Sequence, residues 1–499
     1  MAQAGQLWKR PPLSALLVNK PLHLRLFSAY YDTPRLELRK HNIALRLRRQ
    51  GRRWTQTVKT AAAPAGGLQQ RTELEVAVSR GALDLQWLKH TGLPEFAENS
   101  DSMHALGIVF TTEFDRTVAV VEPVAGTRVE VCVDQGAIVA GTTREPICEI
   151  ELELKEGTVS ALFELAQRLA DVPDVRIETD SKAHRGYRLV TREQPAPAKA
   201  STPKLSTTTD VDTVFKTLAF GCIGQMQANE HGVLHSSDIE YVHQARVALR
   251  RLRSVFNVFS SAVPETHFSD HLGWLRNISR MLGEARDWDV FVTEFLPQAS
   301  SNMNEDFAKC ELTRNAASLR AEARSRALAV LAGTDFTVRM LRLSQLLHEQ
   351  NWAAIRTIEQ QESAALSPRS FATSVLGRAY RDVAQRGKRI NPHNVKEFHK
   401  LRIRIKKLRY SSELLSPLFG VKAARKFLSQ LADLQKVLGN LNDAANATSL
   451  VSQLAAMNGD QAYLQSIAYL RGYAAAQARS SVSGFNAVWK KFNAAAPYW

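Results

Sequence analysis

The residues of this chain best suited to chemistry occur twice. His243-x-x-Arg246-x-x-x-Arg250-Arg251-x-Arg253 is matched by His399-x-x-Arg402-x-x-x-Lys406-Lys407-x-Arg409, each position 156 residues (399 − 243) from its counterpart. Leu282-Gly283 and Leu438-Gly439 keep that separation, and so do Asp287 and Asp443. At about 100° per residue on a helix, His243, Arg246, Arg250 and Arg253 fall within roughly 80° of one another. Ala245, Ala248, Leu249, Leu252 and Phe256 fall on the opposite side. In the second copy Leu401, Ile405 and Leu408 oppose His399, Arg402, Lys406 and Arg409. Each copy therefore predicts an amphipathic helix with one core face and one cationic face. Like charges stacked at this spacing destabilise a bare helix by about 0.2–0.5 kcal/mol per pair, so the stripe costs stability unless anions fill it. Arginine's planar fork makes bidentate bonds to phosphate. Histidine adds a donor that strengthens as pH falls toward its pKa. One such helix reads equally as a solvated charged face; two in register, each led by a histidine, read as a grip for a long, regular polyanion.

A second set of charges lies on alternating residues in the first half of the chain. Arg46 and Arg48 share one face of a strand, Glu73 and Glu75 share another, and Glu149, Glu151, Glu153 and Lys155 share a third. A polar outer face of an ordinary sandwich would show the same alternation. Both charge signs recur on strand after strand, however, which a closed barrel with a charged lumen would explain. In such a lumen the carboxylates would hold divalent metal through oxygen, and the arginines and lysines would bind phosphate oxygens. That is equipment for metal-assisted phosphoanhydride hydrolysis.

The elements that must position these residues differ across the chain. Before Thr191, period-two segments dominate: Ile43–Arg48, Trp54–Lys59, Arg71–Val76, Arg128–Asp134 and Glu149–Lys155. Gly-containing turns separate them, and one helix follows Gly157, from Ser160 to Ala170. Thr191 to Asp212 collects prolines, small residues and threonines without periodicity and reads as a linker. Beyond it, period 3.6 takes over and strand signals vanish. The expected fold is α+β in two domains: an antiparallel β domain over 1–190, a linker over 191–212, and an all-helical domain over 213–499. The duplication makes two helical bundles the simplest form of the latter.

A net charge of +16 implies a polyanionic partner: nucleic acid, phosphate polymer or anionic membrane. Aromatics make up only 8% of the chain and are sparse in the basic runs, so stacking on bases is disfavoured relative to phosphate. A general nucleic-acid binder would explain the charge but not the paired carboxylates. Cys132, Cys148, Cys222 and Cys310 form no C-x-x-C pair, which fits a reducing cytoplasm and argues against a disulfide framework or a zinc knuckle. No run of about 18 apolar residues suggests a membrane span. The apolar patch Leu13–Val18 is too short for a signal peptide.

The duplicated histidine–arginine helices, followed by LGEARDWDV and LGNLNDAAN, resemble the CHAD (conserved histidine α-helical) domain over about 210–499. That resemblance implies two pseudo-symmetric four-helix bundles with a basic groove that binds inorganic polyphosphate. Its groove residues would be the two sets above, with Arg251 and Lys407 as lesser contacts and Asp287 and Asp443 orienting basic side chains. Upstream, YYDTP, ALRLRR, WTQTVKT, GLQQRTELEV, FDR, VDQGAIVAG, EPICEIELELKEG and SKAHRGYRL occur in order. They resemble the CYTH domain, the triphosphate tunnel fold, over about 16–190. The pairing of the two domains is typical of bacterial inorganic triphosphatases. By this resemblance Arg46, Arg48, Lys59, Arg116 and Lys182 would clamp a triphosphate. Glu149, Glu151 and Glu153 would bind Mg²⁺ or Mn²⁺, with Glu151 and Glu153 the better placed. Glu73, Glu75 and Asp134 would shape the lumen, while His23 and His41 would be surface residues.

The family's opening strand, E-x-E-x-K, has no counterpart before Tyr30. Either the true start lies upstream or the strand is lost, and loss would remove about half of the metal site and expose a sheet edge. Two readings follow. One is a cytoplasmic, metal-dependent inorganic triphosphatase recruited to polyphosphate, or to polyphosphate granules, by its helical domain. The other is a non-catalytic polyphosphate-binding protein with a degenerate β domain. Tripolyphosphate, thiamine triphosphate, nucleoside triphosphates and cyclic AMP formation all occur among the enzymes that the first domain resembles.

Overall fold

The structure, a computed structural model, describes residues 4–60, 66–68, 72–79, 81–91, 100–172, 175–301, 311–390, 395–457 and 461–499. Arg71, which opens one of the expected strands, and Cys310 lie outside them. The chain divides into two compact units. The first comprises Met1–Ala196 with Thr334–Glu349, and the second Pro197–Gly333 with Gln350–Trp499.

In the first unit the alternating segments become strands β1 (Leu22–Asp32), β2 (Ile43–Gln50), β3 (Arg53–Thr60), β4 (Glu73–Val78), β5 (Gly107–Val121), β6 (Arg128–Ala140) and β7 (Thr143–Glu156). They form one antiparallel sheet in the order β4-β3-β2-β1-β5-β6-β7. β4 and β7 are its edges, and among the described residues no ladder joins them. Gly51, at φ +60°, makes the tight turn between β2 and β3 in a conformation that other residues adopt at a cost.

Register decides which side chains meet. Tyr30 lies opposite Arg46, Arg46 opposite Thr57, and Thr57 opposite Glu75. On the other side of β1, Leu24 lies opposite Arg116, Arg116 opposite Asp134, and Asp134 opposite Glu149. Strand side chains alternate, so all of these project from one face. The reverse face is apolar. Ala119, Val121, Val129, Val131 and Val133 pack on Leu162, Leu165 and Leu169 of α1 (Val159–Ala170). Ile43, Leu45 and Val58 pack with Leu38, Leu88 and Met103. Each fully buried valine or leucine among them contributes about 1.5–3 kcal/mol. The apolar reverse face thus pins the register that assembles the charged one. Helix α2 (Lys182–Thr191) starts at Ser181, whose hydroxyl accepts from the His184 N–H.

Among the described residues beyond α2 there is no strand. The longer helices are α3 (Val211–His235), α4 (Ile239–Phe259), α5 (Ser269–Val290), α6 (Glu311–Ala332), α7 (Thr334–Glu349), α8 (Pro368–Lys388), α9 (Val395–Leu415), α10 (Val421–Ala455), α11 (Gln461–Ser483) and α12 (Phe485–Asn493). Helices α4 and α9 begin and end at the same 156-residue offset as the motifs they carry. Their predicted core positions are buried: Ala245, Ala248, Leu249 and Leu252, and Leu401, Ile405 and Leu408, are each 0% exposed.

Helix α7 follows from the chain's helical half yet belongs to the first unit. Its Val338 and Leu341 pack with Phe163 and Ala170 of α1, and its Gln345 accepts from Gln167 at 2.8 Å. The linear range 213–499 does not show this, because the apolar face of α7 has the ordinary helical period and carries no mark of its partner. No described helix is long and apolar enough to cross a membrane.

Candidate functional site

The charged face of the sheet carries two connected networks. On the β2–β4 side, Arg46 is buried, and its Nη2 donates to Thr57 Oγ1 at 3.2 Å, Glu73 Oε1 at 3.2 Å and Glu75 Oε1 at 3.3 Å. Lys59 Nζ lies 2.7 Å from Glu73 Oε2. On the β5–β7 side, Arg116 donates to both oxygens of the fully buried Asp134 at 2.7 Å, and also to Glu151. Lys182, the first residue of α2, reaches Asp134 and Glu151 at 2.8 Å each and also contacts Glu149. Between the networks, Arg48 Nε donates to Ser28 Oγ at 3.2 Å. Arg48, Arg116 and Lys182 stand 6.0, 5.6 and 5.1 Å from the centre of the Phe114 ring, so three cations converge over one aromatic floor.

Electrostatics follow from this crowding. Burial, aided by Arg46, lowers Arg48 to about 10 and Lys59 to about 8. Burial opposes the charge on Lys182 as well, but Glu151, Glu149 and Asp134 outweigh it and raise its pKa. Withdrawal from water likewise acts to raise Glu151, yet Lys182 and Arg116 hold that carboxyl well below the usual range. Glu149 is the exception, for burial wins and its pKa is raised. Arg46, Lys59, Arg116 and Lys182 are thus each provisionally neutralised by a carboxylate, while Arg48 bonds Ser28. An incoming polyanion can take the cations and release the carboxylates.

Those carboxylates suit a metal. One oxygen each from Asp134, Glu149 and Glu151 lies within 4.8 Å of the others. An all-oxygen donor set fits a hard divalent cation such as Mg²⁺ or Mn²⁺. Glu153 is not part of this group. It is exposed and lies 2.9 Å from Lys155, which also reaches Glu130 at 3.3 Å.

An apolar cluster bounds the charged face at one end: Leu26, Tyr30, Phe110, Phe114, Ile138, Ile147 and Tyr187. Helix α2 presses on it through Gly186, where an added Cβ would sit 2.1 Å from the Phe110 ring. The close approach of α2 is what places Lys182 over the carboxylates.

In the second unit, α4 and α9 bring the two motif copies together. Arg246 donates to Gly283 O at 3.2 Å and lies 3.3 Å from Asp287 Oδ1. The Arg250 guanidinium lies 5.1 Å from the centre of the Tyr410 ring. Arg409 donates to Glu413 at 2.7 Å and to Gln435 at 2.9 Å. Burial first, then Arg402, Arg250 and Arg246, lower Lys406 to about 8. Burial and then Arg286 lower His243. Burial also lowers Arg250, Arg253 and Arg402. These groups form a partly desolvated field of like charge, which favours a bound anion.

The CYTH domain family matches residues 10–187 and the CHAD domain family matches residues 217–452. The chain carries a CYTH domain followed by a CHAD domain. An inorganic triphosphatase from Haemophilus influenzae is 35% identical over 181 residues, covering 36% of this chain and 50% of that protein. The chain spans about half the length of this curated relative. The crystal structure of the CHAD domain from the plant Ricinus communis matches at 26% identity and a TM-score of 0.53, over 61% of this chain and 98% of the plant one.

Against these domains the sequence-derived residues sort clearly. Arg46, Arg48, Lys59, Glu73, Glu75, Arg116, Asp134, Glu149, Glu151 and Lys182 all lie on the charged CYTH face, joined by the contacts above, while Glu153 lies apart with Lys155. His23 is exposed, with Nδ1 2.9 Å from Thr117 Oγ1, and His41 is exposed too. In the CHAD domain, His399 and Lys407 are exposed. Arg251 donates to Ser201 O at 3.3 Å, in the segment joining the domains.

Three contributors went unread in the sequence. Arg185 is buried and lies 2.6 Å from Glu145 and 3.1 Å from Glu149, holding the latter from behind. It follows Lys182 by three residues, so helical spacing places both on one face. Phe114 stood beside Arg116 in a quoted motif. Arg286 bears on His243 from α5, where its repeat counterpart is Asn442, so the duplication gave no signal for it.

Proposed function

We propose that the CYTH domain is a metal-dependent inorganic triphosphatase acting on tripolyphosphate, and that the CHAD domain binds inorganic polyphosphate. One observation carries the reading: the carboxylates of buried Asp134, half-buried Glu149 and exposed Glu151 set against Arg116 and Lys182 on one sheet face. The inorganic triphosphatase that the CYTH region resembles supports the substrate class, and the phosphate-matched cations support it independently.

In this reading the charged face lines a tunnel-like cavity. Arg46, Arg48 and Lys59 bind phosphate oxygens from β2 and β3, and Arg116 and Lys182 do so from the other side of Phe114. Asp134, Glu149 and Glu151 would hold Mg²⁺ or Mn²⁺, which when bound shields phosphate charge and supplies an activated water. Arg185 keeps Glu149 oriented. Arg116 and Lys182 neutralise charge that builds on the leaving phosphate oxygen, and such fixed donors need no rearrangement as it forms. In the CHAD domain, Arg246, Arg250 and Arg253 of α4 and Arg402, Lys406 and Arg409 of α9 meet phosphates of the polymer, with His243 and His399 beside them.

The test is phosphate release from tripolyphosphate with Mg²⁺ and with Mn²⁺, beside a direct polyphosphate-binding measurement. Metal-dependent release that Arg46→Ala abolishes is expected, with polyphosphate binding retained. No release by folded, polyphosphate-binding protein would overturn the enzymatic half and leave a binding protein.

A further inference from the structure

The two motif copies align in sequence but are not equivalent in space. Position 254 in the first copy is serine, and its repeat counterpart, 410, is tyrosine. The Ser254 hydroxyl is satisfied within its own helix, donating to Arg250 O at 2.9 Å. The Tyr410 hydroxyl is buried and has no hydrogen-bond partner among the described residues. Its ring lies under the Arg250 guanidinium, 5.1 Å from ring centre to Cζ. Two further donors in the same neighbourhood, Arg250 Nε and Arg402 Nε, are also buried and without a partner among the described residues. Arg402 lies within electrostatic reach of both Arg250 and Tyr410.

A buried donor left without an acceptor costs about 1–3 kcal/mol. Three in one neighbourhood, two of them cationic, call for a ligand that brings several acceptor oxygens and negative charge. A phosphate group does both. We propose that Tyr410, with Arg250 and Arg402, forms an off-centre phosphate subsite in the CHAD groove, in which the phenol O–H donates to a phosphate oxygen. The symmetric position at Ser254 has no equivalent. The groove therefore grips the polymer unevenly, most tightly where the second copy's tyrosine meets the first copy's arginine. This rests on the polyphosphate reading above and adds a ligand that the basic stripe does not contain.

The experiment measures the affinity of the full chain for long-chain inorganic polyphosphate, by calorimetry, in three proteins. Tyr410→Phe keeps the ring under Arg250 and removes only the hydroxyl, and Ser254→Ala removes the counterpart hydroxyl. The expected result is a loss of roughly tenfold for Tyr410→Phe, the worth of one hydrogen bond to a charged group, and less than about twofold for Ser254→Ala. Melting temperatures without ligand should match the parent's, since the Tyr410 hydroxyl makes no bond that holds the fold. Parental affinity in Tyr410→Phe overturns the subsite while leaving the groove intact. An equal loss in both variants overturns the asymmetry. Failure of the parent to bind polyphosphate at all refutes the groove reading, and the subsite with it.

Discussion

Glu151 and Glu153 alternate on one strand and look interchangeable in sequence, yet the structure gives them different work. Glu151 receives Arg116 on one oxygen and Lys182 on the other, and it shares a 4.8 Å cluster with Asp134 and Glu149. The Glu153 side chain is 66% exposed and has an ion-pair contact with Lys155. Replacing each by glutamine keeps shape and removes charge. Losing an outer partner of a metal ligand costs roughly 10- to 100-fold, so losing a ligand should exceed about 100-fold in Mn²⁺ affinity and turnover. That is about 2.7 kcal/mol or more. An exposed ion pair is worth about 0–1 kcal/mol, so Glu153→Gln should stay within roughly fivefold of the parent. Glu151→Gln should still fold, because Lys182 keeps Asp134 and Glu149, and Arg116 keeps both oxygens of Asp134. Steady-state phosphate release, Mn²⁺ titration followed by electron spin resonance, and thermal melting read the three quantities. Full turnover in Glu151→Gln with loss in Glu153→Gln would refute the assignment of the cluster.

Further expectations follow from the same geometry. Lys59 and Lys406 each titrate at about 8, below the ordinary lysine value, because burial and neighbouring arginines disfavour their charge. Each is a cation below that pH and loses its charge above it, so tripolyphosphate KM should rise and polyphosphate affinity should fall as pH passes 8. Bound anion favours the charged form, so calorimetry in buffers of different ionisation enthalpy should detect proton uptake on binding above pH 8 and little well below it. The same depressed values penalise the folded state below about 8, and that penalty fades as pH climbs toward the unfolded lysine value. Gly186→Ala would drive a methyl into the Phe110 ring. It should cost about 1–3 kcal/mol of stability, read as a lower melting temperature, and should reduce turnover by shifting Lys182. In the CHAD groove, Arg250→Gln should weaken polyphosphate binding by roughly tenfold or more, whereas the exposed His399→Gln should change it by less than about threefold, both read by calorimetry.

The sequence was most legible where a period and a partner coincide. Alternation in Glu149–Lys155 gives both the strand and its charged face, and the 156-residue offset gives α4 and α9 with their cores. It was least legible where a contact joins residues without periodic relation. Asp134 belongs with Glu149 because β6 pairs with β7 in a particular register, and nothing in a strand's own pattern fixes its neighbour's register. Glu153 shares the face but sits two residues nearer the strand's end, beside Lys155, so alternation correctly gave its side and could not give its depth. Arg185 was within reach by helical spacing from Lys182. Tyr410 was hidden by the duplication itself, since attention to what repeats passes over what has diverged.

Opposite charges on the CYTH face act as placeholders for one another. Arg46, Arg48, Lys59, Arg116 and Lys182 on one face would repel strongly if bare, and burial first, then Arg46, already lowers the pKa of Arg48 and Lys59. Glu73, Glu75, Asp134, Glu149 and Glu151 hold all of them but Arg48 in ion pairs without ligand. A triphosphate that binds with a divalent cation brings both signs at once. Phosphate oxygens would take the place of carboxylates around the cations, leaving Asp134, Glu149 and Glu151 to hold the metal. Such an exchange leaves no buried charge unpaired at its end. A triphosphate alone would strand the carboxylates, and a metal alone would strand Arg116 and Lys182. Binding of the two should therefore be mutually dependent, each raising the affinity for the other by the same factor. Titration of Mn²⁺ with and without tripolyphosphate in the Arg46→Ala protein, which should not turn the substrate over, should show that coupling, and independent binding would refute the exchange.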